Sequence, residues 1–129
     1  MIRVAAAIIQ KDGKFLITRR HQHSHLGHLW EFPGGKLEVN ESPEECIIRE
    51  CREEIAVEIK PLRLFQEIKH SYPEIAVQLY FFICEIVSGT AQAMDCAGLA
   101  WVNPEELKNY EFPAADIELI EQLTQGGSL

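Results

Sequence analysis

Two nearly unbroken apolar runs, residues 4–10 and 15–20, flank the tetrapeptide Lys11-Asp12-Gly13-Lys14. Asp-Gly between two such runs predicts a β-hairpin, because both central residues of its tight turn adopt positive φ. The pattern then turns polar over residues 21–30, which read as a loop, and Phe32-Pro33-Gly34-Gly35 reads as a second turn. Its glycines mark a place where backbone comes close to something. From residue 42 the period changes. Ser42 fits an N-cap, Pro43 the first helical position and Glu45 the third position of a capping box, predicting a helix to about Ile55. Its apolar side includes Cys46, Ile47, Ile48 and Cys51. Residues 63–69 and 76–87 read as strands, the second rich in β-branched and aromatic residues, and 98–102 as a short strand. Asn103-Pro104-Glu105-Glu106 repeats the cap pattern and opens a short helix. Residues 114–125 read as a last amphipathic helix with Ile117, Ile120 and Leu123 on one face and Gly126 as its stop. No repeat or linker interrupts the chain, so residues 1–129 are expected to form a single domain. Mixed strands with segregated helices give an α+β or α/β/α sandwich.

Composition narrows the function. A chain of 129 residues is long enough to bury a core without staples. Its net charge of −8 argues against a polymeric nucleic-acid binder, which needs a basic face. A nucleotide substrate stays open, because a metal ion can supply local positive charge. The cysteines Cys46, Cys51, Cys84 and Cys96 form neither a CxxC pair nor a zinc spacing and read as reduced thiols. The N-terminal apolar run ends at Lys11 and Asp12, too short for a membrane span and without a signal-cleavage pattern. Cytoplasmic location and no membrane partner are the expectation.

Residues 34–57 carry the chemistry. Glu50, Glu53 and Glu54 stand at i, i+3 and i+4, which puts three anions on one helix face. They repel one another unless a divalent cation lies between them and reverses the sign of that energy. The face points to a hard metal and, through it, to a phosphate.

Gly35, Glu41, Arg49, Glu50, Glu53, Glu54 and Val57 match the pattern G-x5-E-x7-R-E-U-x-E-E-x-G-U, with U an aliphatic residue. In this the chain resembles the Nudix hydrolases. Cys51 stands where an aliphatic residue is usual, and Ala56 replaces the glycine after the helix. If that position needs positive φ, alanine costs about 1 kcal/mol there. The likeness extends beyond this box and is similar to the MutT branch, the nucleoside triphosphate pyrophosphohydrolases. Thr18-Arg19-Arg20, Trp30 to Lys36, Tyr72-Pro73, Trp101 and Phe112 to Asp116 carry it. The resemblance implies the Nudix α/β/α sandwich around a central mixed β-sheet. It also implies hydrolysis of an oxidised or non-standard (d)NTP, such as 8-oxo-dGTP, to monophosphate and pyrophosphate.

It further implies roles. Glu50, Glu53 and Glu54 would hold Mg²⁺, or Mn²⁺, with the Gly35 carbonyl as a further ligand, Glu41 in support and Arg49 holding a carboxylate in place. The general base stays open between Glu50 and Asp95, which lies six residues before Trp101 where the family often has a glutamate. Arg20, Phe32, Tyr72 and Asp116 are assigned to the substrate: Arg20 to phosphate, Tyr72 near the base and Asp116 as its reader. Asp116 and Ile75 replace an asparagine and an arginine of MutT. Ionised Asp only accepts hydrogen bonds, which suits the N–H-rich edge of a guanine or the exocyclic amine of cytosine. The segment from Asp116 also resembles the CTP pyrophosphohydrolase branch. A CTP/dCTP-type enzyme, hydrolysis of another nucleoside diphosphate derivative, and a non-catalytic nucleotide-binding module are the competing readings. His21, His23, His25 and His28 lie on a loop without Cys partners, which argues against zinc; His25 is a candidate to approach the substrate. The protein is expected to be a monomer or homodimer.

Overall fold

The computed structural model describes residues 1–24 and 27–125. The expectations for His25 and Gly126 fall outside them. The hairpin forms as predicted: β1 (Ile2–Lys11) and β2 (Lys14–Arg19) pair antiparallel, and Asp12 and Gly13 take positive φ of 52° and 77°. β3 (Trp30–Glu31) and β4 (Gly34–Lys36) follow, then helix α1 (Pro43–Ile55). The chain continues through β5 (Glu58–Ser71), β6 (Ala76–Ser88) and β7 (Gly98–Val102). 3₁₀ helices at Pro104–Asn109 and Ala114–Asp116 lead into α2 (Ile117–Gln125).

Among the described residues seven strands join in one mixed sheet with the path β3-β2-β1-β6-β5, where β4 adds to β1 and β7 to β2. The β1 and β6 pair is parallel and the others are antiparallel. Strand alternation sorts the core into two layers. Ala5, Ala7, Ile9, Phe82 and Cys84 face α1 and meet Cys46, Ile47, Cys51 and Ile55. Ala6, Ile8, Phe81 and Ile83 face the opposite way and meet Leu107, Leu119, Ile120 and Leu123. This is the expected sandwich. Among the described residues no helix is long and apolar enough to cross a membrane.

Four local expectations are corrected. Trp30–Glu31 and Gly34–Lys36 are short strands and not loop or turn, because β2 and β1 offer them open edges. β5 begins at Glu58, five residues before the expected start. Pro61 is tolerated there because the strand lies at the sheet edge and its pairing is interrupted by bulges. The cap at Asn103 opens a 3₁₀ helix, with Glu106 Oε1 accepting from the Asn103 amide at 2.9 Å. The last helix starts at Ile117, which is 48% exposed; Leu119, and not Ile117, joins Ile120 and Leu123 in the core.

Candidate active site

The α1 cap fixes where its carboxylates stand. Ser42 Oγ accepts from the Glu45 amide at 3.1 Å and Glu45 Oε1 from the Ser42 amide at 2.9 Å, with Pro43 at the first helical position. The buried side of α1 locks its rotation, leaving Arg49, Glu50 and Glu54 against β4 and Glu53 more exposed beside Arg49. The helix ends on Ala56, left-handed at φ 60°, as the family pattern's glycine position suggested.

β4 runs against this face. The Gly34 amide donates to Glu54 Oε2 at 3.0 Å. A Cβ on Gly34 would meet the Ala5 carbonyl oxygen at 2.1 Å, and one on Gly35 would meet the Glu50 carboxylate at 2.6 Å. Gly34 is therefore required by close backbone approach, whereas at Gly35 a side chain would push the end of Glu50 aside. The Gly35 carbonyl, expected as a metal ligand, accepts from the Cys46 thiol at 3.3 Å. It also belongs to a hydrogen-bonded pair with Ala5: the Leu37 amide donates to Arg3 O and the Ala7 amide to Pro33 O, so alternation makes Ala5 opposite Gly35 the bonded pair between them. This carbonyl is already engaged within the fold. That of Gly34 points to the other side of the strand.

Arg49 organises the acidic groups. Its Nε and Nη2 reach the two Glu41 oxygens at 2.7 and 2.9 Å, its Nη1 reaches Glu50 Oε1 at 2.8 Å, and Nη2 also donates to the Lys36 carbonyl at 3.2 Å. This bidentate grip pulls the Glu41 carboxyl down to about 2. Glu53 is more exposed and lies 3.5 Å from Arg49. Burial raises the Glu50 carboxyl against the pull of Arg49, and it pushes Glu54 up to about 8, helped by the negative charges of Glu50, Glu31 and Asp95. Among the described residues no three His, Cys, Asp or Glu side chains converge on one point. As they stand, Glu54 turns to the Gly34 amide while Glu50 and Glu53 turn to Arg49. The donor set is nonetheless all oxygen and outweighs the charge of Arg49, with Glu50 packed directly against Gly35; this chemistry fits a hard divalent cation.

Asp95 lies on the loop between β6 and β7. Its amide donates to the Glu54 carbonyl at 3.1 Å, and its exposed carboxylate meets His21 Nε2 at 3.0 Å. With Arg20, Glu31, Glu54 and Cys96 it rims one depression. The structure thus brings Asp95 to the carboxylate edge and adds His21, whose partner could not be seen in the sequence.

The next cavity, about 320 Å³, holds all four residues expected to meet substrate: Arg20, Phe32, Tyr72 and Asp116. Gly34 and Gly35 form part of its wall, and the same two residues touch Glu54 and Glu50, so the cavity adjoins the carboxylate face across β4. Arg20 Nη1 donates to Glu31 Oε1 at 2.7 Å. Glu31 was missed as a site residue; its only sequence signal was a carboxylate between Trp30 and the buried Phe32. Burial raises its carboxyl, opposed by Arg20. Asp116 is 8% exposed, and burial followed by the charge of Glu31 pushes it up to about 7. Burial and Asp116 together raise the Tyr72 hydroxyl, whose ring packs edge-on to His70 at 4.5 Å. Ile75 closes the Tyr72 turn but is 41% exposed and does not line the cavity.

Comparison with known proteins agrees with this geometry. A NUDIX domain model matches residues 4–122. The CTP pyrophosphohydrolase of Escherichia coli is 37% identical over 121 residues, covering 94% of this chain and 90% of the relative. The 8-oxo-dGTP diphosphatase of the same organism is 29% identical, covering 95% of each. The solution structure of the E. coli ORF135 protein superposes with a TM-score of 0.80 at 36% identity, covering 94% of this chain and 86% of that one. On the glycine-flanked carboxylate helix, the sandwich that presents it and these likenesses over nearly its whole length, the chain belongs to the Nudix hydrolase family.

Proposed function

We propose that this protein is a divalent-metal-dependent nucleoside triphosphate pyrophosphohydrolase acting on oxidised or non-standard nucleotides. One observation carries the reading: the α1 carboxylate face and the cavity of Arg20, Tyr72 and Asp116 share the Gly34 and Gly35 wall. A nucleotide in that cavity has its phosphates led to the carboxylates. Water adds to one phosphorus of the triphosphate, the anhydride bond breaks and pyrophosphate leaves the monophosphate.

Glu50, Glu53 and Glu54 are the residues to hold Mg²⁺ or Mn²⁺, with Glu41 fixed behind them by Arg49 and the Gly34 carbonyl a better placed backbone donor than that of Gly35. The ion supplies charge neutralisation on the phosphates and a more acidic water. Arg49 keeps Glu50 oriented. Glu50 or Asp95 takes the proton of the attacking water, Asp95 being presented beside Glu54 by its own amide. Arg20 offers its guanidinium to phosphate at the cavity mouth while anchored to Glu31.

A pyrimidine substrate of the CTP type is the second reading. It is favoured by Asp116, a buried carboxyl able to accept from an exocyclic amine when ionised, and by the 37% identity to a protein named CTP pyrophosphohydrolase. The test is pyrophosphate release from 8-oxo-dGTP, dGTP, CTP and dCTP with Mg²⁺, alongside ADP-ribose. Release from a triphosphate, abolished by Glu53→Gln, is the expected result. Turnover of ADP-ribose alone would refute the proposal, and tight binding with a flat time course would point to a non-catalytic module. Asp116→Asn is expected to reorder the base preference.

A further inference from the structure

A second cavity, about 350 Å³, lies at the hairpin end of the sheet and shares no lining residue with the cavity of Arg20 and Asp116. Its walls are Lys11, Asp12 and Lys14 of the β1–β2 turn, Ile86 of β6, Gly89 to Ala91 of the loop after it, and Trp101 on β7. Lys11 and Lys14 are direct cross-strand partners. Like charges set opposite each other on one face of a hairpin are unfavourable, and the turn of Asp12 and Gly13, both at positive φ, leaves the register no freedom. Among the described residues neither ammonium group has an ion pair or hydrogen bond. Asp12 lines the same cavity and offsets one of the two charges. In a chain of net charge −8, one positive charge is left over here beside Trp101.

We propose that this cavity is a binding site for a phosphorylated planar ring compound, with phosphate between the Lys11 and Lys14 ammonium groups and the ring against Trp101. An anion between the lysines turns their repulsion into attraction. A flat heterocycle gains contact with the indole. The size is that of an ordinary small-molecule site. Lysine suits the task as a flexible point charge at an exposed rim, where the bidentate geometry of arginine is not demanded. The inference stands on residues that the hydrolytic site does not use, so neither depends on the other.

The test is an amide and indole NMR titration of the full chain with AMP, ribose 5-phosphate and adenosine. AMP is expected to shift Lys11, Lys14, Thr90 and the Trp101 indole signal saturably, about tenfold more tightly than either fragment. Lys11→Gln with Lys14→Gln should weaken those shifts about tenfold and leave any response at Tyr72 and Asp116 unchanged. Added NaCl probes the same contact in the wild-type protein, because binding of a phosphate between two lysines must weaken with salt. Signals at the turn that ignore AMP, shifts confined to the Asp116 cavity, or salt-insensitive binding would each overturn the proposal. Ribose 5-phosphate binding as tightly as AMP would overturn the aromatic half.

Discussion

The Cβ that Gly35 lacks would lie 2.6 Å from the Glu50 carboxylate. Gly35 has no positive φ, so backbone conformation does not demand glycine here; an added Cβ meets only the end of the Glu50 side chain, which must move aside. We predict that Gly35→Ala folds but displaces Glu50 and with it the Arg49 contact at 2.8 Å. With Glu50 in its proposed role, a displacement near 1 Å costs about 100-fold in rate. Pyrophosphate release should fall by that order while the melting temperature changes by only a few degrees. An unchanged kcat would show that Glu50 tolerates the shift.

Ala56 is the converse case, a residue held at φ 60° with its amide donating to the Arg52 carbonyl at 3.2 Å. Left-handed backbone costs a non-glycine residue about 1–2 kcal/mol, and glycine returns part of this through unfolded-state entropy. Ala56→Gly should therefore stabilise the protein by about 0.5–1 kcal/mol, a rise of about 2–4 °C, with kcat unchanged. Thermal unfolding checks it; a fall in melting temperature would contradict the strain argument.

These two positions also show what was legible in the sequence. Glycine and cap signals are local, so the α1 limits, the Asp12-Gly13 turn and the strained Ala56 could be read in advance. The carboxylate face followed from helix period alone. What could not be read depends on partners distant in the chain. The edges that turn Trp30–Glu31 and Gly34–Lys36 into strands come from β2 and β1. The pairing of Arg20 with Glu31, the hold of His21 on Asp95 and the engagement of the Gly35 carbonyl by Cys46 arise only when separate elements meet. The exposure of Ile117 had a different cause: the 3₁₀ turn Ala114–Asp116 shifts the helix start and rotates Leu119 inward in its place.

Asp116 predicts a stability signature. Its carboxyl is raised from the ordinary 3.8 to about 7 in the folded protein, first by burial and then by Glu31. The native state therefore binds the proton more tightly than the unfolded chain. This contribution is fully present below about pH 4 and is lost as pH rises to about 7. Asp116→Asn removes the titration. Its stability relative to wild type should increase across that window, by up to about 4 kcal/mol, and level off above it. Denaturant unfolding at a series of pH values measures this. A difference independent of pH would mean that Asp116 titrates normally.

Arg49 should behave as a fork and not as a charge. Its guanidinium satisfies Glu41, Glu50 and the Lys36 carbonyl together, and holds Glu41 down at about 2. The stability from Glu41 is present above its ordinary pKa of 4.5 and is lost as pH falls through about 2. Lysine cannot make the bidentate contact. Arg49→Lys should cost about 1–3 kcal/mol at neutral pH, less for a partly exposed pair than for a fully buried one. It should also shift acid unfolding upward in pH. Unfolding curves at neutral and acid pH test both, and a variant as acid-resistant as wild type would deny Glu41 its dependence on Arg49.

The metal-ligand role proposed for Glu54, together with its raised carboxyl, links metal binding to protons. At about 8 it is mostly protonated at neutral pH, pushed there by burial and by the charges of Glu50, Glu31 and Asp95. Without metal, this proton stabilises the fold below about pH 4.5, and the contribution fades as pH rises to about 8. A divalent cation requires the carboxylate and must expel the proton. Mg²⁺ affinity should therefore climb about tenfold per pH unit between about pH 6 and 8, then flatten, with close to one proton released per ion at the lower end. Glu54→Gln should weaken binding and remove the pH slope. Calorimetric titration in buffers of different ionisation enthalpy counts the proton directly and needs no turnover. A Mg²⁺ affinity flat in pH, or a slope that survives in Glu54→Gln, would show that Glu54 does not exchange its proton for the metal.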